Sequence, residues 1–220
     1  GVGTTQGLIK EILENTSGFK VGTDFGLVYS SNRVLNEKSS EMPADQERIL
    51  AAIDKNSLNT ASTILGIITK GEMKKTMDLK MAEAVTLFDV VQKDVNVALA
   101  SELAFFCEKT GIDYLEVQKL RKNCIYSMLP LSMLTSANDQ EEPYLLLEDS
   151  EDLNLRLRIP AIARDVNEEI VKHALNLIKD ALKNCGKTLR RARVSLLGIL
   201  QVPNDRSPPK KMVKELVKML

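Results

Sequence analysis

Apolar residues recur at three- and four-residue steps through the middle of the chain, and this pattern predicts one long helix. Residues 80–110 contain no proline or glycine, and Gly111 follows as a helix-ending residue. The apolar positions that set the period are Val85, Phe88, Val91, Val95, Leu99, Leu103 and Phe106. A helix of about 30 residues is roughly 45 Å long. We therefore expect it to link two domains or to pack against a second copy of itself.

Shorter patterns on both sides of this helix predict a mixed α/β fold that is mostly α. Further helices are predicted over residues 4–14, over 57–69 with Ser57 as the cap, from the cap Asp113 onwards, over 161–185, and after Pro208. Short apolar runs predict strands over residues 25–29, 49–53 and 191–198. Two polar stretches that contain proline, 36–46 and 130–152, are expected to be loops.

The charge balance and the apolar runs narrow the classes of partner. The 220 residues hold 30 basic and 30 acidic side chains, so the formal net charge is zero. That removes the usual electrostatic argument for nucleic acid or for an anionic membrane surface. The longest apolar runs are far shorter than a bilayer span, and no basic and apolar leader is visible at the N-terminus. We therefore expect a cytoplasmic protein that contacts neither nucleic acid nor membrane.

The cysteines and the single histidine argue against a metal site. Cys107, Cys124 and Cys185 are widely spaced and odd in number, which is typical neither of a disulfide framework nor of a metal cluster. His173 is the only histidine, so a zinc or di-iron cluster is not expected. The Met73, Met77 and Met81 series at four-residue steps is interpreted as a hydrophobic strip.

Three stretches of the chain carry recognisable motifs. Residues 21–34 contain Val-Gly-Thr-Asp-Phe, then Tyr-Ser-Ser-Asn-Arg-Val. Residues 82–113 contain Ala-Glu, then Asp-Val-Asn-Val-Ala-Leu-Ala-Ser-Glu-Leu-Ala, Cys-Glu and Gly-Ile-Asp. Residues 198–208 contain Gly-Ile-Leu followed by Pro-Asn-Asp-Arg-Ser-Pro.

The order and spacing of these motifs resemble the UDP-glucose/GDP-mannose dehydrogenase family, NAD-dependent enzymes that oxidise a nucleotide sugar to a uronic acid. The resemblance implies three parts. Residues 1–78 look like the C-terminal part of a Rossmann-like dinucleotide-binding domain. Residues 79–186 look like the long helix and central helical dimerisation domain. Residues 187–220 look like the first strand and helix of a nucleotide-sugar-binding domain.

The resemblance also implies catalytic positions, and other residues occupy them here. The family uses a lysine and an asparagine, four residues apart on the long helix, to stabilise oxyanion charge. Counted from Glu83, the lysine position is Thr86 and the asparagine position is Val90. The glutamate of the family's Ser-Pro-Glu motif falls on Asn32, and its nucleophilic cysteine falls on Asn138. The catalytic set that the resemblance calls for is therefore degenerate, and we assign no catalytic residue.

Binding residues are implied less directly. The Val2-Gly3-Thr4-Thr5 turn resembles one beside the family's cofactor, which makes Thr4 and Thr5 candidate cofactor-binding residues. Arg206 in the Asp-Arg-Ser-Pro turn is the candidate for the anionic part of a UDP- or GDP-sugar. No G-x-G-x-x-G fingerprint is present in the 220 residues. NAD, the cofactor that the resemblance implies, is therefore not expected to be bound by this chain alone.

Other reactive side chains have simpler interpretations. Cys124 could be a displaced nucleophile, but a small core residue fits its apolar surroundings better. Cys107 beside Phe106 is expected to pack, and His173 is expected to be a helix-surface residue. Arg190, Arg191 and Arg193 could grip a pyrophosphate, although a solvated loop entering a strand is the commoner case.

Two function classes stay open. The first is a nucleotide-sugar dehydrogenase homologue of the NAD-dependent oxidoreductases, inactive as this chain. The second is a structural or regulatory scaffold that dimerises through the long helix, as a homodimer or with a full-length relative. Ala98, Leu99, Ala100 and Ser101 are expected to let a second helix approach closely. An unrelated helical enzyme is a distant third.

Overall fold

The computed structural model of the chain describes residues 1–31, 47–120, 137–190, 192–195 and 211–219, with the backbone only of 137–140 and 211–213. The chain divides into two compact units, Gly1–Asp89 and Val90–Leu220. Each unit is described by itself. The three-part division over 1–78, 79–186 and 187–220, with its Rossmann-like first part, stays a prediction.

The first unit combines two helices with a small sheet. A π-helical turn over Thr5–Ile9 continues as α1 over Lys10–Ser17, which ends at Gly18 in a left-handed conformation with φ 74°. Its strands are β1 over Val28–Ser30, β2 over Arg48–Ala52 and β3 over Met73–Thr76. Helix α2 spans Lys55–Ile68. The helices expected near residues 4–14 and 57–69 and the strand expected near 49–53 are confirmed, whereas the strand expected over 25–29 lies later, over Val28–Ser30.

The sheet has the strand order β1–β2–β3. Strands β1 and β2 are antiparallel, with Val28 opposite Ala52, whereas β2 and β3 are parallel and are connected through α2. Leu50 and Ala51 lie on the central strand, which is paired on both edges, and both residues are completely buried. Ala51 packs with Leu79 and Ala82 in the hydrophobic core of this unit.

Two details of this unit differ from the sequence-based expectation. The cap of α2 is Asp54 rather than Ser57, because the Asp54 carboxylate accepts hydrogen bonds from the Ser57 backbone N–H at 2.8 Å and from its hydroxyl. Strand β3 begins at Met73, a residue that the spacing of the methionines assigns to a hydrophobic strip. Two of its four residues are lysines, which are uncommon in strands, so the sequence did not indicate a strand here.

Helix α3 spans Leu79–Thr110, so the predicted 80–110 helix is confirmed. It begins in the first unit and continues into the second, which also contains α4 over Tyr114–Leu120, α5 over Ala137–Asp152, α6 over Arg158–Asn184 and α7 over Lys211–Met219. Val97 of α3, Val171 and Leu175 of α6 and Leu216 of α7 share one buried cluster. No helix within the described ranges is long and apolar enough to cross a membrane.

Two predictions about the second unit need correction. Residues 130–152 are not all loop, because α5 occupies 137–152 with Pro143 inside it and fully buried. The strand predicted over 191–198 is absent from its described part, residues 192–195, which has no regular secondary structure. Arg191 and residues 196–198 lie outside the described residues, as do the predicted loop at 36–46 and Cys124.

A buried ion pair joins α3 to α6. The Arg164 guanidinium contacts the Asp94 carboxylate through two nitrogens, at 2.6 and 2.8 Å, and both side chains are almost fully buried. The Asn167 amide donates to the same carboxylate at 2.8 Å and to the Asp94 backbone carbonyl at 2.9 Å. A buried charge is tolerated only with such partners.

Arg164→Met tests how strongly this pair holds the second unit. The substitution leaves the Asp94 carboxylate buried without its cation, so we expect the free energy of unfolding to fall by about 3–5 kcal/mol. Urea denaturation measures this loss. The control is Lys119→Met on α4, because Lys119 belongs to an exposed pair with Glu116. An Arg164 variant no less stable than that control would contradict the assigned role.

Candidate functional site

The carboxylate of Glu83 on α3 holds the N-terminal turn in place. Its two oxygens accept hydrogen bonds from the backbone N–H groups of Gly3 at 2.5 Å and Thr5 at 2.8 Å. Glu83 and Thr5 are both buried, and Gly3 has the left-handed φ of 90° that a turn of this shape requires. Converging backbone N–H groups of this kind often bind a phosphate, and here they bind a carboxylate of the chain itself.

This arrangement bears on the candidate cofactor residues Thr4 and Thr5. The Thr4 hydroxyl donates to the Gly1 carbonyl at 2.6 Å, and the Thr5 N–H is engaged by Glu83. The N–H groups of Gly3, Thr4 and Thr5 are therefore all engaged within the chain and are not directed at a cofactor phosphate. The assignment of Thr4 and Thr5 to a cofactor stays a prediction.

Thr86 lies one helical turn after Ala82 on α3 and is half-buried. Its hydroxyl donates to the Ala82 carbonyl at 3.1 Å and accepts from the Tyr29 hydroxyl at 3.0 Å. A threonine hydroxyl has one proton to donate. Because that proton already points into the helix, Thr86 has no donor left for a developing oxyanion.

Val90 follows four residues later on the same helix, and only 1% of it is exposed. Its side chain has no polar atom and cannot replace an asparagine as a hydrogen-bond donor. Position 86 therefore holds a hydroxyl whose proton is already donated, and position 90 holds a buried hydrocarbon side chain.

The remaining candidate positions are less completely described. Asn32 and Arg206 lie outside the described residues, and of Asn138 only the backbone is described, near the start of α5. Ser31, next to Asn32, is buried, and its hydroxyl accepts from the Ile49 N–H at 2.9 Å.

Tyr144 on α5 is fixed by two residues of α6. Its hydroxyl donates to the Glu168 carboxylate, and its ring lies 5.7 Å from the Arg164 guanidinium carbon. Burial, followed by the hydrogen bond to Glu168, raises the pKa of Tyr144 to about 12. Tyr144 is therefore neutral at ordinary pH and acts as a packing and hydrogen-bonding residue.

The other reactive side chains, Cys107 and His173, contact residues of the fold itself. Cys107 is buried beside Tyr114, Ala100 and Ala104, as expected for a packing residue. The His173 ring lies 4.1 Å from the Phe105 ring, and its Nε2 lies 3.0 Å from a Glu108 oxygen. The described ranges contain no group of three or more His, Cys, Asp or Glu side chains that could hold a metal ion.

A cavity of about 470 Å³ lies beside the start of α2 and was not predicted. Its polar lining includes Asp24 and Asp54 but no lysine or arginine, so it is unsuited to a nucleotide phosphate. The hydrogen bonds from the Ser57 hydroxyl and backbone hold the pKa of Asp54 below its usual value, so this carboxyl is ionised at neutral pH. Much of the cavity lining comes from turn residues such as Gly22 and Gly26. Turns have no hydrophobic periodicity, so the sequence pattern could not predict the cavity.

Comparison with known proteins shows what the chain is similar to. No family model matches the sequence. The UDP-N-acetyl-D-mannosamine dehydrogenase of Pyrococcus horikoshii is 28% identical over 200 residues, which are 90% of this chain and 46% of that protein. A solved structure of a UDP-D-ManNAc dehydrogenase from the same organism superposes with a TM-score of 0.82 at 24% identity, over 99% of this chain and 51% of that one. An NDP-N-acetyl-D-galactosaminuronic acid dehydrogenase from Methanosarcina mazei reaches a TM-score of 0.67 at 26% identity, over 84% of this chain and 42% of that one.

The chain is similar to nucleotide-sugar dehydrogenases over most of its length. The resemblance found in the sequence motifs is thus confirmed, and the chain spans about half the length of the family members it matches. Sequence reasoning used Glu83 only to fix the register of the long helix and missed its bonds to the turn. The signal was an acidic residue between Ala82 and Ala84, inside an otherwise apolar stretch.

Proposed function

We propose that this chain is a non-catalytic member of the nucleotide-sugar dehydrogenase family. The proposal depends on one observation, the state of positions 86 and 90 on α3. The family's oxidation, as the motif resemblance implies it, needs a charged donor and an amide donor at these positions. Here Thr86 already donates to the Ala82 carbonyl, and Val90 is a buried hydrocarbon.

The magnitude of the expected loss supports the proposal. Removing one preorganised oxyanion donor from an enzyme costs about 100- to 1,000-fold in kcat. The sequence mapping replaces two donors and also puts Asn138 at the position of the nucleophilic cysteine. An amide cannot form the thiolate that attacks an aldehyde. Because groups that act together are not additive, the combined loss is not the product of the separate losses.

The proposed ligand class follows from the relatives. Their names include UDP-N-acetyl-D-mannosamine dehydrogenase and UDP-N-acetyl-D-glucosamine 6-dehydrogenase. We therefore propose a UDP- or GDP-sugar as the ligand this lineage recognised, with Arg206 as the candidate contact. The N-terminal turn does not fit the NAD pyrophosphate, because Glu83 occupies its N–H groups. We derive no hydride-transfer step for this chain.

The purified chain is expected to show no oxidation of UDP-N-acetyl-D-mannosamine, UDP-glucose or GDP-mannose. The measurement is NADH absorbance with NAD⁺ and each sugar nucleotide in excess. The Pyrococcus horikoshii relative is the positive control, assayed in the same buffers. Sustained NADH production by this chain would contradict the proposal. Loss of that activity in Cys124→Ala would then identify Cys124 as a displaced nucleophile.

A dimerisation scaffold is the second candidate function, and exposed apolar residues on α3 favour it. In the second unit, Leu99 and Phe106 are 54% and 63% exposed and lie with Leu103 on one face of the helix. Large apolar side chains in a continuous exposed row are typical of an interface. The small residues Ala98, Ala100 and Ser101 do not serve this purpose, because they are buried within the chain.

Leu99→Glu/Phe106→Glu is expected to convert a dimer into a monomer. Light scattering at micromolar concentration measures the mass, and high salt should not dissociate the unsubstituted dimer, because the contact is apolar. Ile67→Glu on α2 is the control, since Ile67 is 82% exposed but lies on another helix. A monomeric unsubstituted chain, or a double variant that stays dimeric, would contradict this interface.

A further inference from the structure

The cavity beside the start of α2 combines an acidic end with an apolar wall. Its volume of about 470 Å³ lies within the range of about 300–1,000 Å³ that is usual for small-molecule pockets. A turn over residues 22–26 forms one side, and one face of α2 forms another. We call it the α2 cavity; its lining includes Asp24, Val28, Asp54, Thr60, Ala61 and Ile64, which all belong to the first unit.

The two carboxylates of the α2 cavity have no cation beside them. Asp24 accepts a hydrogen bond from the Lys20 backbone N–H at 2.7 Å through Oδ2, and its other oxygen has no partner among the described residues. The Lys20 ammonium pairs instead with Glu14, at 3.4 Å. Asp54 accepts from uncharged donors in the first turn of α2. Lys55, which follows Asp54, is exposed and does not line the cavity.

The start of α2 does not neutralise these carboxylates. A helix dipole places roughly half a positive charge at the N-terminus of a helix. Two ionised carboxylates outweigh that charge, so the acidic end of the α2 cavity remains negative and attracts a cation. A metal ion fits less well, because the described ranges contain no group of three or more side chains that could hold one.

The rest of the cavity is suited to a hydrocarbon chain. Ala61 and Ile64 follow the acidic end along one face of α2, and Val28 of β1 joins the same lining. Ile64 lies about 15 Å along the helix from Asp54, and its side chain is 59% exposed. A ligand that reaches from Asp54 towards Ile64 would remove apolar surface from water, which favours binding.

We propose that the α2 cavity binds a primary amine that carries a short hydrocarbon chain. The ammonium group donates to the carboxylates of Asp24 and Asp54, and the hydrocarbon chain packs on Ala61 and Ile64. Hydrogen bonds between two charged groups are stronger than those between neutral groups, so the ammonium group determines the orientation of the ligand. This site does not depend on whether positions 86 and 90 support catalysis.

Hexylamine is the probe that tests the proposal, in a titration of the purified chain followed by two-dimensional NMR of its backbone amides. Saturable shifts are expected at Gly22, Asn56 and Thr60, which line the cavity. Hexanol has the same chain without the charge, and methylamine has the charge without the chain. Each is expected to bind at least about tenfold more weakly than hexylamine. Hexanoate, with the opposite charge, is expected to cause no shifts at these residues.

Substitutions separate the two parts of the site. Asp24→Asn and Asp54→Asn each remove a charge but keep an acceptor oxygen, and asparagine caps a helix as well as aspartate does. Each should weaken hexylamine binding about tenfold. Ile64→Asn should weaken the binding of hexylamine but not that of methylamine. The matched controls, Glu72→Gln and Ile67→Asn, make the same kinds of change at exposed residues outside the lining and should keep the affinity.

The proposal is overturned if hexylamine produces no saturable shifts at the cavity, or if hexanol or methylamine binds as tightly as hexylamine. It is also overturned if a control variant loses as much affinity as the variant it matches. Displacement of hexylamine by an equal concentration of calcium chloride would overturn it in favour of a metal site.

Discussion

Two carboxylates buried on helix α3 are the constraint on which both units of the structure depend. A buried charge is costly unless it is fully hydrogen-bonded, so each carboxylate fixes the element that satisfies it. Glu83 requires the N–H groups of Gly3 and Thr5 in the first unit. Asp94 requires Arg164 and Asn167 of α6 in the second. In each unit, these hydrogen bonds therefore fix which face of the 32-residue helix is turned towards the rest of that unit. Apolar packing then stabilises that orientation.

This constraint bears on the proposal that the chain keeps the fold of its relatives without their chemistry. Thr86 lies three residues after Glu83 on the same helix. The hydrogen bonds of Glu83 to the N-terminal turn therefore orient position 86, whatever residue occupies it. A lysine at that position would place its charge beside the Tyr29 hydroxyl. The threonine hydroxyl instead accepts the Tyr29 hydrogen bond and donates its own proton to the Ala82 carbonyl. Val90 adds buried apolar surface where an asparagine would need partners. Both residues suit the stability of the fold and neither suits oxyanion stabilisation.

The sequence predicted the elements whose periodicity was long or whose caps were distinct. Helix α3 has regular apolar spacing over most of its 32 residues, and α6 is followed by a glycine, Gly186, in a left-handed conformation. Helix α5 escaped prediction because Pro143 and a run of acids indicate a loop locally. Burial of Pro143 and the bonds of Tyr144 to α6 override that preference. The bonds of Glu83 could not be predicted, because they join residues about 80 positions apart and depend on the folded geometry.

The central claim is that positions 86 and 90 decide whether this fold catalyses. The most direct measurement transfers them into the Pyrococcus horikoshii relative, by replacing its two residues that align with Thr86 and Val90 with threonine and valine. We predict that kcat falls at least about 100-fold while the affinity for the sugar nucleotide changes little. A matched variant with threonine at the position aligned with Val85 should keep its rate. A double variant that turns over at the unsubstituted rate would contradict the account.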